Sequence, residues 1–184
     1  VAITVVPQQD QPVIFAPVSH TISEDAGPVV LPKIEIFDVD ARSALAATPA
    51  PLVYDHDWVG QVILVARYGV LTLAGDFSGL TFPANVDADG DGVFDVSDGV
   101  DDRIIVFEGS LDALNAALDG LTYTAPADFN TGLLAERLEI RVSDLGNTDL
   151  VTPSLARTQT ATVSLTVTPV NDPPVSTFVL PAGA

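Results

Sequence analysis

Residues 87–98 read Asp-Ala-Asp-Gly-Asp-Gly-Val-Phe-Asp-Val-Ser-Asp, which spaces carboxylates as a twelve-residue cation loop would. Asp87, Asp89, Asp91, Asp95 and Asp98 fall at loop positions 1, 3, 5, 9 and 12, Gly92 at 6, and the backbone carbonyl of Val93 at 7. A hard cation needs roughly six to eight oxygens converging at about 2.3–2.6 Å, and a glycine allows the sharp turn that folds the loop around it. Every ligand position is filled, so these residues are expected to hold Ca2+. A solvated acidic loop would use the same residue types, but it has no need of this spacing.

A second set of oxygen ligands is dispersed: Ser23-Glu24-Asp25, Asp38-Val39-Asp40, Asp144-Leu145-Gly146-Asn147 and Asn171-Asp172-Pro173-Pro174. Asp38 and Asp40 project to the same side of an extended chain and can close on one ion. Acids that merely solubilise strand ends are the competing reading, because strand ends are often polar. Asp55-His56-Asp57-Trp58 holds one of two histidines and the lone tryptophan, and reads as a loop before it reads as a transition-metal or sugar-stacking patch.

The elements that must position these acids follow from periodicity. Strand signals run over residues 33–38, 61–66, 70–74, 103–107, 121–124, 136–142 and 157–168. In 136–142, Leu138, Ile140 and Val142 form the inward set, with Arg137, Glu139 and Arg141 facing water. Such alternation predicts an all-β, antiparallel β-sandwich with one wet face per sheet. One short helix is expected after Ser110 as N-cap, with Asp112 near its positive end, Leu111, Leu114 and Leu118 on one side, and Gly120 past its end. The alanine- and proline-rich stretch 41–51 has no periodicity and reads as an exposed loop. The row of Thr158, Thr160, Thr162, Ser164, Thr166 and Thr168 is the wet face of a strand in preference to an ice-binding array, and Lys33 reads as exposed in preference to a cross-linking residue.

Residues 1–13 (VAITVVPQQDQPV) return as 163–175 (VSLTVTPVNDPPV), with 7 of 13 positions identical at a constant offset of 162. The repeat divides the chain into 1–12, the last strand and linker of a preceding unit; 13–169, one full domain; and 170–184, a linker and the start of the next unit. Both linkers are stiffened by proline. Composition sets further bounds. With 25 acidic residues against 7 basic and a net charge of −18, nucleic acid and anionic membranes are excluded as partners, and divalent cations are the natural ones. There is no cysteine, so any staple must be oxygen-ligated. No apolar run approaches the roughly 20 residues of a membrane span and no basic-then-apolar leader is present, so a soluble piece of a longer polypeptide is expected.

Several motifs together carry a specific resemblance: Gly69-Val-Leu-Thr-Leu, Leu80-Thr-Phe, Asp101-Asp102, the run from Gly109-Ser-Leu-Asp-Ala-Leu to Leu-Thr-Tyr123-Thr, Asp128-Phe-Asn, Val142-Ser-Asp144-Leu-Gly-Asn and Val170-Asn-Asp-Pro-Pro-Val. Over nearly its whole length the chain resembles the cadherin-like tandem domains of giant calcium-dependent bacterial adhesins of the RTX type. That resemblance implies a cadherin- or immunoglobulin-like sandwich in which Ca2+ held between successive domains turns a flexible string into a rod. It implies that Asp38, Asp40 and Asp144 meet Asp10 of the preceding linker, while Glu24 at the opposite pole meets Asn171 and Asp172. Loop 87–98 resembles the calcium loops of dockerins and thrombospondin type 3 repeats and looks like an insertion, since 82–102 is longer than the family's short Gly/Asp stretch. The first linker departs too, with Gln8-Gln9-Asp10 where the second has Val170-Asn171-Asp172.

No nucleophile elbow, phosphate loop or tuned acid/base pair is present, so a non-catalytic role is expected. The expected function is a calcium-stiffened extender domain of an extracellular bacterial surface protein, its partners being neighbouring repeats and calcium ions, with any glycan bound through other domains. The alternative is a carbohydrate-binding module using Trp58, Tyr54 and the 41–60 loop.

Overall fold

The computed structural model describes residues 10–39, 41–43, 53–54, 58–75, 77–83, 97–132, 134–146 and 155–174. The expected ligands Asp40, Asp87, Asp89, Asp91, Val93 and Asp95, and the Asp55-His56-Asp57 triplet, lie outside the described residues. In chain order the elements are β1 (Val13–Phe15), β2 (Ser19–Ser23), β3 (Val29–Val30), β4 (Glu35–Phe37), β5 (Arg42–Ser43), β6 (Val53–Tyr54), β7 (Gly60–Ala66), β8 (Val70–Thr72), β9 (Leu80–Thr81), β10 (Ile104–Gly109), α1 (Leu111–Leu118), β11 (Thr122–Thr124), β12 (Glu136–Ser143) and β13 (Thr158–Thr168).

A six-stranded sheet in the order β2-β13-β12-β7-β10-β9 forms one layer. Its inward side chains, among them Val62, Leu64, Phe107, Leu138, Ile140 and Val163, share one core with Ile34 just before β4, Ile36 of β4, Leu71 of β8, Tyr123 of β11 and the apolar side of α1. The pairs β1-β4 and β5-β6 and the three-stranded sheet β3-β11-β8 complete the β structure, so the chain is an all-β sandwich with one short helix. The alternation read in β12 and β13 holds, with the odd residues of β13 from Val163 to Val167 buried and Thr160, Thr162, Ser164 and Thr166 in water. In β10 it fails. Ile104 and Val106 are buried on the outer side, packed with Ile63 and Val65, and Ser97 Oγ accepts the Val106 N–H at 3.1 Å. An unbroken apolar run such as Ile104-Ile-Val-Phe107 is what a strand covered on both faces looks like.

Two expectations change. Pairing is not wholly antiparallel, because β2 runs parallel to β13. The cause is that the chain forms β1 against β4, turns through Ala16-Pro17-Val18, where proline removes a donor, and then continues in the other sheet as β2. The 41–51 stretch is not wholly an exposed loop either: Ala41 is buried, and β5 pairs with β6 to close its base.

The helix forms as its sequence dictates. Ser110 Oγ accepts the Ala113 N–H at 3.3 Å, and Gly120 takes a φ of +93° that a side chain would resist. Leu111, Leu114, Ala117 and Leu118 are its buried residues. Asn115 adds a directional tie, since its Oδ1 accepts the Ile36 N–H at 2.7 Å and its Nδ2 donates to the Ile36 carbonyl at 2.9 Å. The amide thus replaces a neighbouring strand for β4.

The register defines two ends of the sandwich. Val13 of β1 pairs with Phe37 of β4, Gln11 Nε2 donates to the Thr158 carbonyl, and Thr158 pairs with Ser143. The starts of β1 and β13 and the finishes of β4 and β12 therefore share one end, the entry end. At the exit end β2 and β13 finish side by side, Ser23 opposite Thr168, near the start of β12, where Glu136 pairs with Leu165.

Glu136 lies in phase with the inward residues of β12 and is 3% exposed. Its Oε1 accepts the N–H groups of Arg67 (2.9 Å) and Arg137 (2.7 Å), and its Oε2 accepts those of Tyr68 (2.9 Å) and Gly69 (3.0 Å) and the Tyr123 hydroxyl (2.8 Å). The β7–β8 turn is thereby bound to β12 and β11. Gly69 is required there, because a Cβ would strike the Tyr123 ring. Burial, reinforced by the Glu136 carboxylate, pushes the Tyr123 pKa far up, so the hydroxyl stays a donor at every working pH. Changing Glu136 to Ala strands these N–H groups and is expected to cost about 3 kcal/mol or more. At this chain length that lowers Tm by roughly 10 °C, whereas Tyr123→Phe costs about 1 kcal/mol. Thermal unfolding of both variants measures this, and an unchanged Tm for the Glu136 variant would mean that water satisfies these groups.

Candidate metal centre

At the exit end the β2–β13 ladder continues one step past the strands, with the Glu24 N–H donating to the Thr168 carbonyl at 2.9 Å. This draws the Glu24 side chain inward, where it is 5% exposed. Its Oε1 accepts the Val170 N–H at 2.6 Å and its Oε2 accepts from Asn130 Nδ2 at 3.2 Å. Asp25 follows in the left-handed region, at φ +61°, which bends the chain over the end of the sheet. Asp172 arrives from the other direction, two residues beyond Val170. Among the described residues, Glu24, Asp25 and Asp172 bring carboxylate oxygens within 4.8 Å of one another.

The exit end is thus a set of hard oxygen donors from a strand end and an exit segment, and it can hold a metal ion. Its electrostatics fit that use. Partial desolvation and the negative charges of Asp25, Asp128 and Glu24 raise the Asp172 carboxyl above the usual aspartate pKa. A cation among these groups would reverse the sign of that interaction.

Of the expected ligands for this end, Glu24 and Asp172 come together, and Asn171 is exposed with its Nδ2 donating to the Asp172 carbonyl at 3.3 Å. Asp25, part of the Ser23-Glu24-Asp25 stretch read as oxygen donors, joins the group beside Glu24, the one residue of that stretch that the family resemblance implies as a ligand. Asn130 takes part through a hydrogen bond to a residue about a hundred positions away, and Asp128 through its charge beside Asp172, pairings that no local pattern in the chain announces.

At the entry end Asp38 and Asp144 are both 1% exposed, and Asp10 is exposed. Asp144 Oδ1 accepts the N–H groups of Arg157 (2.7 Å) and Gly146 (2.9 Å), closing the base of the β12–β13 connection. Among the described residues Asp10, Asp38 and Asp144 do not form a group as tight as the one at the exit end. Asp98 is exposed; its Oδ1 accepts the Val100 N–H at 3.0 Å, while Asp102 Oδ2 accepts those of Asp98 (3.0 Å) and Gly99 (3.1 Å). The last expected loop ligand therefore sits on a turn capped by its own hydrogen bonds. Trp58 is 2% exposed and lies against Gly60, where a Cβ would collide with its ring. A buried indole offers no face to a sugar, which removes Trp58 as a stacking platform.

The raised Asp172 pKa carries a pH dependence of definite sign. The folded state binds the Asp172 proton more tightly than the unfolded state does, so this group lowers stability as pH rises through and above the usual aspartate range and relieves that loss as pH falls. In chelator, NMR titration should find Asp172 above the usual aspartate value, with a saturating divalent cation moving it below, and Asp172→Asn should not lower Tm. A chelator titration at or below the usual value would remove the repulsion argument.

Compared with known protein families and with curated proteins, the chain matches none.

Proposed function

We propose that this chain is a non-catalytic, cadherin-like extender domain from a tandem array in a large extracellular bacterial adhesin, and that calcium ions stiffen its junctions with neighbouring repeats. The observation that carries this reading is the convergence of Glu24 and Asp25, at a strand end, with Asp172 of the exit segment. A cation there ties the body of the domain to the segment that leads away from it. The internal repeat supports the array, since the exit motif Pro169-Val-Asn-Asp172 has its counterpart in Pro7-Gln-Gln-Asp10. Calcium is the favoured ion because carboxylates and backbone carbonyls suit a hard cation and the chain has no thiolate. The entry-end acids Asp10, Asp38, Asp40 and Asp144 would serve the preceding junction in the same way, and residues 87–98 would hold a separate ion inside the domain.

The function of such a domain is mechanical. Interfaces between successive domains are small, so without ions the junction explores many angles at little energetic cost. Bridging it with charge-compensated oxygens restricts those angles and lengthens the array.

Calcium at ten-fold excess over Kd should stabilise by about 1.4 kcal/mol per independent site, a shift of a few degrees in Tm. Equal Tm values in calcium and in chelator would sink the proposal. Small-angle scattering on a stretch of two successive units should show an extended rod in calcium and a shorter, broader distance distribution in chelator. Asp172→Ala should give the second profile even in calcium, whereas replacing Asp89 and Asp91 with alanine should preserve the rod and remove one bound calcium in a calorimetric titration. An Asp172 variant as extended as the parent would place the stiffening elsewhere.

A further inference from the structure

The last turn of the exit strand is held more firmly than a metal site requires. β13 runs past the start of β12, so from Thr166 onward one of its edges has no strand beside it. Loop 126–132 takes that place. The Thr131 N–H donates to the Val167 carbonyl at 3.0 Å, and Thr131 Oγ1 accepts the Val167 N–H at 3.1 Å. On the other edge Thr168 Oγ1 donates to the Ile22 carbonyl at 3.1 Å, and the Glu24 N–H reaches the Thr168 carbonyl. Beyond Thr168 the strand is over, yet the Val170 N–H still has a buried, charged acceptor in Glu24 Oε1 at 2.6 Å.

We propose that Glu24 is a metal-independent clasp for the exit segment, which confines the interdomain hinge to Asn171 and Asp172. The placement follows from which torsions remain free. Val170 is tied to the body of the domain, and Asn130, on the same loop as Thr131, holds the other Glu24 oxygen. Pro173 fixes its own φ and restricts Asp172 to extended conformations, and Pro174 does the same to Pro173. Rotation therefore concentrates between Val170 and Asp172. A metal ion would lock this short hinge but would not create the direction in which the segment leaves. The mechanical consequence rests on reading 169–174 as the connection to a following domain; the clasp itself does not.

Amide hydrogen exchange by NMR in EDTA separates the two. A hydrogen bond to a charged acceptor predicts that the Val170 amide exchanges about 10- to 150-fold more slowly than in an unstructured peptide, while Asn171 and Asp172 exchange freely. Glu24→Ala should bring Val170 to the free rate and leave Val167, held by Thr131, protected. If the alanine variant fails to fold, Glu24→Gln keeps a neutral acceptor and should reduce Val170 protection about several-fold. A freely exchanging Val170 in the parent, or protection unchanged in the folded variant, would overturn the clasp. Failure to bind calcium would leave these exchange rates as expected and would count only against the proposed function.

Discussion

The constraint on which this structure turns is the shortage of positive charge: 25 acidic side chains face 7 basic ones. A carboxylate taken out of water needs donors or a cation, and few can find an ion pair here. Pairs such as Lys33 with Glu35 and Arg137 and Arg141 with Glu139 lie at or near the surface and contribute little. Three of the buried acids turn instead to backbone amides. Glu136 collects those of the β7–β8 turn, Asp144 those of the β12–β13 base, and Glu24 that of Val170. Glu136 and Glu24 join segments far apart in sequence and Asp144 closes the base of the β12–β13 connection, so buried carboxylates tie the topology together.

That solution has a limit. An amide presents one hydrogen and must belong to chain that passes close by, and Asp172 stands beyond the last strand, surrounded by other acids. Charge that the protein's own amides leave uncompensated there could be balanced by a cation. The exit end then divides into an inner part, where Glu24 accepts hydrogen bonds from Val170 and Asn130, and an outer part, where Asp25 and Asp172 gather negative charge that a cation could compensate.

Much of the fold was legible along the chain because it depends on period. The alternation in 136–142 and 157–168 and the capped run after Ser110 state which residues face inward, and the structure places β12, β13 and α1 there. Glu136 was legible too, in phase with Leu138, Ile140 and Val142, although an acid at an inward position is easily passed over. Short strands such as β3 and β9 carry no such sign, since two residues have no period and owe their conformation to the partner.

The sequence by itself determined the charge imbalance, the absence of thiolates, the repeat, the alternation that commits the chain to a sandwich, and the presence of acids at the strand ends. Only the tertiary structure decided which acids meet. Glu24 and Asp172 lie about as far apart as one repeat is long, and they converge because β2 leaves the first sheet and runs parallel to β13, bringing both strand ends to one place. Tertiary structure likewise put Trp58 in the core and bound Asp144 to Arg157. Local sequence sets the direction of a side chain relative to its own strand. What that side chain meets depends on which strands pair, and pairing is a property of the whole core.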